Sequence, residues 1–452
     1  MHFRMATHNR RSFLAGATAF AIASSRGARA FRLPTTAEAD ETAVSRPAFP
    51  SGDEGWRRTW DAAVAVLAGN LRTVPSYGNP LLFEGSTYQG AWQECGPQEG
   101  LVYATLRRYI PVAQGRISPM QAARNNHMAF FALQRPDGQI PSAIKVSDVG
   151  FGQIQMVVPI AATAWELAQI AHDEELLTTA YNGCSRWDAW LRRYRDTRKT
   201  GLVEGFCTFD TGHDNSPRWA GIPNRCPDSD ARKCPPIASM PRLCPDLSAT
   251  VYGARVALAS MAKALGKSGE EARWQEDAES IRKRIIEKLY SPEDAAFYDL
   301  DAQNKFVRVR SDAMSRVLGE HVLELSNAHE RAIFDAVWTR QIHNPKAFWA
   351  PYPLASIAMD DPTFVRPIPR NSWGGASQAL TALRAPRWMG HYGKQAALDE
   401  LMQQWCKAIM RQGEFCQQVD PLTGDFTHPD PGGYSPAALV FLDFARRLSR
   451  SS

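Results

Sequence analysis

Apolar residues recur at every third or fourth position through most of the chain, and this period restricts the protein to a helical fold. One stripe consists of Val251, Ala254, Leu258, Met261 and Leu265. It stops at Gly266, a residue type that commonly ends a helix. A second stripe follows at once and consists of Trp274, Ala278, Ile281, Ile285 and Leu289. The two stripes predict antiparallel helices joined by a tight turn.

Helix-start signals support this unit. Ser268 and Glu271 have the spacing of a capping box at the start of the second helix. Ser118 followed by Pro119 predicts an N-cap and a first-turn proline, opening a helix that runs to about Leu133.

Similar periodic stretches recur along the chain, and we predict about a dozen helices. They lie near residues 55–71, 97–109, 157–172, 174–195, 327–341, 372–385, 393–411 and 436–449. Strand-like alternation is scarce, and the best case runs from Phe297 to Val309. An all-α toroid of helix hairpins is expected, with the longer loops gathered at one end. Those loops are rich in Trp, Tyr, Gly, Asn and Asp, which suit a sugar-binding site.

The N-terminus has the layout of an export signal. The first thirty residues hold five arginines and no carboxylate, around an apolar run from Phe13 to Ala23 that is too short to cross a bilayer. Arg10 and Arg11, followed by Ser-Phe-Leu, resemble a twin-arginine signal. We therefore expect a signal peptide over 1–30, a flexible segment over 31–50, one domain over 51–452, and a periplasmic or secreted protein.

The charge balance argues against several partners. The full chain carries 52 basic and 47 acidic residues, and without the five signal arginines the basic residues number 47 as well. A neutral mature chain gives no reason to expect nucleic acid or a membrane surface as a partner. Phosphate-binding loops, serine-nucleophile elbows and metal-binding histidine pairs do not occur as motifs, so no cofactor or metal is expected.

Four of the eight cysteines are clustered in sequence. Cys226, Cys234 and Cys244 share one proline-rich stretch, and Cys207 lies just upstream. In an exported protein one or two disulfides are expected here. A zinc site is the alternative, although the spacings are longer than the paired spacings that zinc sites use.

The stretch 205–219 carries the clearest chemical signal. Asp214 lies there between Gly, Asn and Pro residues, in a loop that can aim a carboxyl group into a cavity. Glycoside hydrolysis needs a protonated carboxylic acid beside the leaving oxygen and a second group that activates water.

The segment 211–219 reads Thr-Gly-His-Asp-Asn-Ser-Pro-Arg-Trp. It resembles the segment that holds the general acid in trehalases of glycoside hydrolase family 37. It also resembles that segment in family 63 enzymes and their mannosylglycerate-hydrolase-like relatives. Residues 134–141, 350–356, 360–364 and 420–424 resemble further segments of these families, in the same order. The resemblance covers roughly residues 85 to 450. It implies an (α/α)6 barrel, a carbohydrate substrate, an inverting mechanism, and Asp214 as the general acid.

The position of the general base departs from the family pattern. The resemblance places a glutamate three residues before Asp420, where this chain has Gln417. An amide cannot accept a proton from water. Glu414 or Asp420 could take over, the mechanism could be altered, or the protein could bind a sugar without cleaving it.

The resemblance also indicates residues that contact the substrate. Trp373 is a candidate sugar platform. Trp92 and Glu94 lie where the family has a Trp followed by an Asp that holds substrate hydroxyls, a role that the resemblance gives to Glu94. Gln155 falls near a glutamine of the family pattern. Packing or loop capping is the alternative role for Trp373, Trp92 and Gln155. Arg218 could bind substrate or order the loop.

We therefore expect an exported glycosidase acting on a small glycoside or oligosaccharide. Two rivals remain: a polysaccharide lyase on the same toroid, and a sugar-binding protein without activity, which Gln417 suggests.

Overall fold

The computed structural model describes Pro47, Phe49 and residues 54–112, 116–369, 371–427 and 433–451. By their contacts the described residues belong to one unit. The predicted signal peptide and most of the 31–50 segment lie outside the described residues.

Twelve α-helices are present in the described part of the chain. They are α1 Glu54–Gly69, α2 Gly96–Thr105, α3 Pro119–Ala132, α4 Ile160–Ala171, α5 Glu174–Tyr194, α6 Pro245–Ala264, α7 Ser268–Leu289, α8 Ala313–Gly319, α9 Ala328–Val337, α10 Ala379–Trp388, α11 Gln395–Gln412 and α12 Ser435–Ser451. A π-helical turn, Trp338–Ile342, continues α9, and short 3-10 turns span Thr208–Asp210, Pro217–Trp219 and Pro227–Ser229.

The even-numbered helices form a closed inner ring. Contacts run from α2 to α4, α6, α8, α10 and α12, and α12 closes back onto α2. The odd-numbered helices lie outside: α3, α5 and α7 each pack on the inner helix next to them in sequence, and α1 and α11 both pack on α12. This arrangement confirms the predicted (α/α)6 barrel.

Burial follows from the two rings. The inner helix α6 has buried residues all around its axis, whereas the outer helix α7 buries one stripe that includes Trp274, Ile281 and Leu289. A helix that is apolar on one face needs one neighbour, and a helix surrounded by others needs apolar or paired residues throughout. The core therefore lies inside and between the two rings.

The strands are short and lie in the loops. They are β1 Leu71–Thr73, β2 Pro80–Leu82, β3 Gly90–Trp92, β4 Ala143–Lys145, β5 Val149–Gly150, β6 Glu204–Gly205, β7 Arg242–Leu243, β8 Tyr290–Ser291, β9 Ala296–Phe297, β10 Asp299–Leu300, β11 Phe306–Val307, β12 Ser377–Gln378 and β13 Gln418–Val419. All pairings are antiparallel, with orders β1-β2, β3-β4-β5, β11-β10-β7-β6, β8-β9 and β12-β13. The hairpin of β10 and β11 lies where the sequence showed its best alternation.

Loop length differs sharply between the two ends of the barrel. Loops from an inner helix to the next outer helix are short, for example 172–173 and 265–267, whereas loops from an outer to an inner helix are long, for example 195–244 and 343–378. The long loops all lead into the N-termini of inner helices, so they gather at one end, as predicted.

Two local predictions need correction. Helix α7 has Lys267 as its N-cap, without a side-chain cap, and Ser268 is already its first helical residue, so the predicted capping box is absent. The stretch 372–385 is not one helix: residues up to Gln378 form a loop and strand β12, and α10 begins at Ala379. Within the described residues, no helix is both long and apolar enough to span a bilayer.

Candidate active site

The segment that carries Asp214, residues 206–223, is anchored by a buried ion pair; we call it the acid loop. The Asp210 carboxylate accepts hydrogen bonds from the backbone N–H groups of Ile154, Phe206 and Cys207. It also pairs with the Arg195 guanidinium, and both side chains are fully buried. A buried carboxylate needs such complete pairing, and here the pairing fixes the start of the loop.

Arg218 orders the other end of this loop. Its guanidinium donates to both oxygens of Asp246 at 2.7 Å, to Asp299, and to His213 Nδ1 at 3.1 Å. Burial raises the pKa of Asp246, but Arg218 outweighs it and lowers that pKa to about 2. Because the donors of Arg218 are all engaged, its geometry fits loop ordering, one of the two roles that the sequence left open.

His213 is a fully buried residue of the acid loop. Its Nε2 is 2.6 Å from Asp312 Oδ1, and its ring packs edge-on against Trp373 with centroids 5.1 Å apart. Burial and the nearby Arg316 lower the pKa of His213 to about 4. The imidazole is therefore neutral near pH 7 and serves to support the loop.

Asp214 projects from the loop and is only half-buried. Its carbonyl oxygen accepts from the Trp373 N–H at 3.0 Å, and its Oδ2 accepts from Asn371 Nδ2 at 3.0 Å. Burial and the neighbouring Glu94 carboxylate raise the pKa of Asp214 to about 7. A carboxyl group with this pKa is substantially protonated at neutral pH and can act as an acid.

Glu94 closes one side of the site. It is buried, and burial raises its pKa. A Cβ added at Gly212, which has φ +62°, would lie 1.6 Å from Glu94 Oε2, so only glycine permits this approach. Gln155 hydrogen-bonds to Glu94 and also accepts from Gln153 at 2.9 Å. The structure thus brings Glu94 and Gln155 together with the acid loop.

Gln417 is connected to Asp214 through side chains. Its Oε1 accepts from the Tyr88 hydroxyl at 2.9 Å, and its Nε2 donates to Asn371 Oδ1 at 3.0 Å. Asn371 in turn donates to Asp214. A chain of hydrogen bonds therefore runs from Tyr88 through Gln417 and Asn371 to the acid.

The two candidate tryptophans differ in exposure. Trp373 is 2% exposed and packs with Cys95 and Leu380, with the Arg316 guanidinium 5.2 Å from its ring centroid. Trp92 is half-buried, and its ring stands perpendicular to that of Tyr88, 5.6 Å away. Trp92 is therefore the better placed of the two to offer a ring face to a ligand.

The two alternative bases lie apart from this network. Glu414 is exposed just after Gly413 ends α11, and its carboxylate contacts the Cys416 thiol at 3.9 Å. Asp420 accepts from the Leu422 N–H at 2.8 Å and from Arg366 at 3.3 Å, so its carboxylate caps a turn. Neither engages the chain from Tyr88 to Asp214.

Sequence reasoning missed a buried carboxyl group, Glu84. Its Oε1 accepts from the Tyr434 hydroxyl at 2.6 Å. Burial, Glu99 and Glu94 together raise the pKa of Glu84 well above its ordinary value, and Asp214 adds to the effect. Glu84 belongs to no recognisable motif. The one sequence feature that could have indicated it is a carboxylate placed between the apolar run 81–83 and Gly85.

Two groups of potential metal ligands occur among the described residues. Cys207, Asp210 and Cys226 form one, and Cys244, Asp246 and Asp299 form the other. In each group the carboxylates pair with an arginine, Arg195 or Arg218. An arginine already pairs with the carboxylates of each cluster, which disfavours the zinc alternative. All eight cysteines are free thiols, so the expected disulfides are not formed in this structure.

Comparisons with known proteins identify the family of the chain. Residues 114–435 match the family model described as the mannosylglycerate hydrolase MGH1-like glycoside hydrolase domain. No curated protein sequence is similar enough to match the chain.

Solved structures share the fold. The family 63 mannosylglycerate hydrolase of Thermus thermophilus, solved with Tris, aligns with a TM-score of 0.64 at 19% identity over 85% of this chain and 99% of that one. Neutral trehalase of Saccharomyces cerevisiae aligns with a TM-score of 0.59 at 14% identity over 84% and 78%. A Klebsiella oxytoca rhamnosidase with rhamnose bound gives 0.54 at 14% identity over 90% and 66%.

Proposed function

Because the chain belongs to the mannosylglycerate hydrolase MGH1-like family of glycoside hydrolases, we propose that it is an exported, inverting glycosidase whose general acid is Asp214. The observation that carries this proposal is the position and ionisation of Asp214. It lies in an anchored loop among the long loops that lead into the inner helices, and its pKa is raised to about 7.

Asp214 would protonate the glycosidic oxygen as the bond to the anomeric carbon breaks. Asp214 can donate a proton only if it is protonated in the resting enzyme. Burial together with Glu94 favours the protonated state. Asn371 orients the carboxyl group by donating to Oδ2. The proton can then reside on the other oxygen and point to the substrate.

An inverting hydrolase also needs a group that takes a proton from water. Gln417 cannot do so, since its amide oxygen is a poor base. Glu84 is the better candidate by position: Tyr434 holds its carboxyl group, and Tyr88, on the same loop, hydrogen-bonds to Gln417, where the resemblance places the base. Burial and the like charges of Glu99 and Glu94 favour the protonated form of Glu84, so Glu84 accepts a proton from water only after it has lost its own.

The substrate is proposed to be a small glycoside or an oligosaccharide. Mannosylglycerate, trehalose and rhamnosides are suggested by the names of the related proteins, and a second Thermus structure contains glucose. Trp92 offers a ring face to a sugar ring. Glu94 and Gln155 offer a carboxyl and an amide group that can hydrogen-bond to sugar hydroxyls.

The test is a screen of glycosides and oligosaccharides with product detection by mass. We expect addition of one water per bond cleaved, and NMR of the first product should show the anomer opposite to that of the substrate. An unsaturated product absorbing in the ultraviolet would assign a lyase. Tight binding by calorimetry without turnover over long incubation would assign the sugar-binding alternative that Gln417 suggests.

Export is proposed from the sequence of residues 1–30. Paired arginines before a short apolar run are the feature that supports it. The periplasm or the exterior of the cell would then be the place of action.

A further inference from the structure

Two thiols lie side by side, one at the start of the acid loop and one just after its end. Cys207 Sγ and Cys226 Sγ are 3.6 Å apart, and both residues are buried. They form a small apolar cluster with Phe206, against which the partly buried Cys234 packs. The other cysteines of the chain lie outside this cluster.

The backbone holds the two cysteines next to each other. Thr208 N–H donates to Pro223 O at 3.0 Å, and Phe209 N–H donates to Asn224 O at 3.1 Å. These bonds join the stretch after Cys207 to the stretch before Cys226. The proximity of the sulfurs is therefore set by main-chain pairing and does not depend on side-chain rotation alone.

We propose that Cys207 and Cys226 are joined by a disulfide in an oxidising compartment, and that this bond closes a covalent ring that contains all of the acid loop after Phe206. The ring would contain Asp214, His213 and Arg218. The sulfurs need to approach from 3.6 Å to about 2.05 Å, a change that side-chain rotation and small backbone shifts can supply.

The reaction is a thiol–disulfide exchange. One thiolate attacks a sulfur of a low-molecular-weight disulfide such as oxidised glutathione and releases one thiol. The second cysteine then attacks the mixed disulfide, forms the Cys207–Cys226 bond and releases the second thiol. Two cysteine protons and two electrons are thereby transferred to the oxidant. Because both sulfurs are buried, exchange takes place during folding or when the loop opens.

The bond would restrict the unfolded chain. Closing a ring of about twenty residues lowers the entropy of the unfolded state, so the oxidised protein should melt at a higher temperature than the reduced protein. Arg195 and Asp210, which anchor the same loop, would then act together with a covalent link.

The experiment counts thiols and does not require turnover. Protein refolded in a glutathione redox buffer is denatured, alkylated and weighed without reductant. We expect six alkylated cysteines of the eight in the chain, and a non-reduced peptide map that joins Cys207 to Cys226. Eight alkylated cysteines, or a link that uses Cys234 or Cys244 instead, would overturn the proposal.

Two serine variants provide the matched comparison. Cys207→Ser should lose the link and should melt at the same temperature with and without dithiothreitol. Cys406→Ser removes another buried thiol outside the ring and should keep both the link and the dithiothreitol-dependent drop in melting temperature. An equal drop in both variants would contradict the proposal. A failed screen for glycosidase activity would leave these results unaffected.

Discussion

A carboxyl group that donates a proton near neutral pH needs a pKa well above that of a free aspartate, and the surroundings of Asp214 provide it. Burial and Glu94 raise the pKa to about 7, while the hydrogen bond from Asn371 works in the opposite direction. The catalytic proposal therefore rests on three side chains from three different loops.

The first prediction follows from that pKa. Above about pH 7 Asp214 loses its proton, so kcat/KM should fall about tenfold for each further pH unit. Asn371→Ala removes a donor that favours the charged form, so the same decline should begin at higher pH. The pH profiles of both proteins check this. A decline whose midpoint is the same in the two proteins would show that another group controls it.

The second prediction concerns the base position. Gln417→Glu places a carboxylate between Tyr88 and Asn371, at the position where the family has its base. If the site is otherwise of family type, kcat should rise, and Glu84→Gln should then cost less activity than it does with Gln417 present. Kinetics of the two single variants and the double variant measure this coupling. If Glu84→Gln leaves activity intact with Gln417 present, Glu84 is not the base, and Glu414→Gln and Asp420→Asn become the next tests.

At the scale of elements, the anchors of the acid loop are as informative as the acid. Arg218 joins the loop to Asp246 on α6 and to Asp299 on β10. Its guanidinium is buried, so removing it leaves Asp299 without its arginine partner and leaves Asp246 with Arg316 alone, 3.5 Å away.

The third prediction is a stability effect. Arg218→Met should lower the free energy of unfolding by about 3–5 kcal/mol, because it breaks a buried ion-pair network. Arg232→Met is the matched control: its pair with Asp230 is exposed, and the expected loss is below about 1 kcal/mol. Urea denaturation measures both. Equal losses of unfolding free energy in the two variants would show that the Arg218 network is not the anchor of the loop. If Arg218→Met instead has normal stability but a raised KM, Arg218 is a substrate contact.

Elements with long apolar stripes were predictable, and short or loop-bound ones were not. Helix α8 spans only Ala313–Gly319, too few residues to show a repeated stripe. The prediction of one helix over 372–385 was wrong for its first part, because the segment 371–378 places Asn371 and Trp373 in the site. Tertiary contacts there override the local sequence pattern.

Glu84 was missed for a related reason. Its partner Tyr434 is 350 residues away in the chain, and a single sequence gives no sign of such a contact.

For the whole molecule, the closed ring of α2, α4, α6, α8, α10 and α12 explains why residues from distant parts of the sequence meet. Each long loop leads into an inner helix, so six separate segments contribute to one end of the barrel. The number of helices and their pairing followed from periodicity, whereas the closing contact between α12 and α2 requires the structure.

The fourth prediction tests export of the whole chain. Replacing Arg10 and Arg11 by lysine should leave the precursor in the cytoplasm, because the paired arginines are the feature that resembles a twin-arginine signal. Fractionation and immunoblotting of the variant and the unaltered chain measure this. Periplasmic accumulation of the double variant would exclude that route.

The central claim is that Asp214 protonates the leaving oxygen, and the dependence of its variant on leaving-group quality tests it most directly. Asp214→Asn should lower kcat/KM by about 10²–10⁴-fold for alkyl glycosides or disaccharides, whose leaving groups need a proton. The loss should be much smaller for dinitrophenyl glycosides, which leave without one. Asp228→Asn, a change of the same kind at an exposed residue, should leave both rates unchanged. An equal loss for both classes of substrate in a folded Asp214→Asn protein, or no loss for either, would contradict the assignment of Asp214 as the general acid.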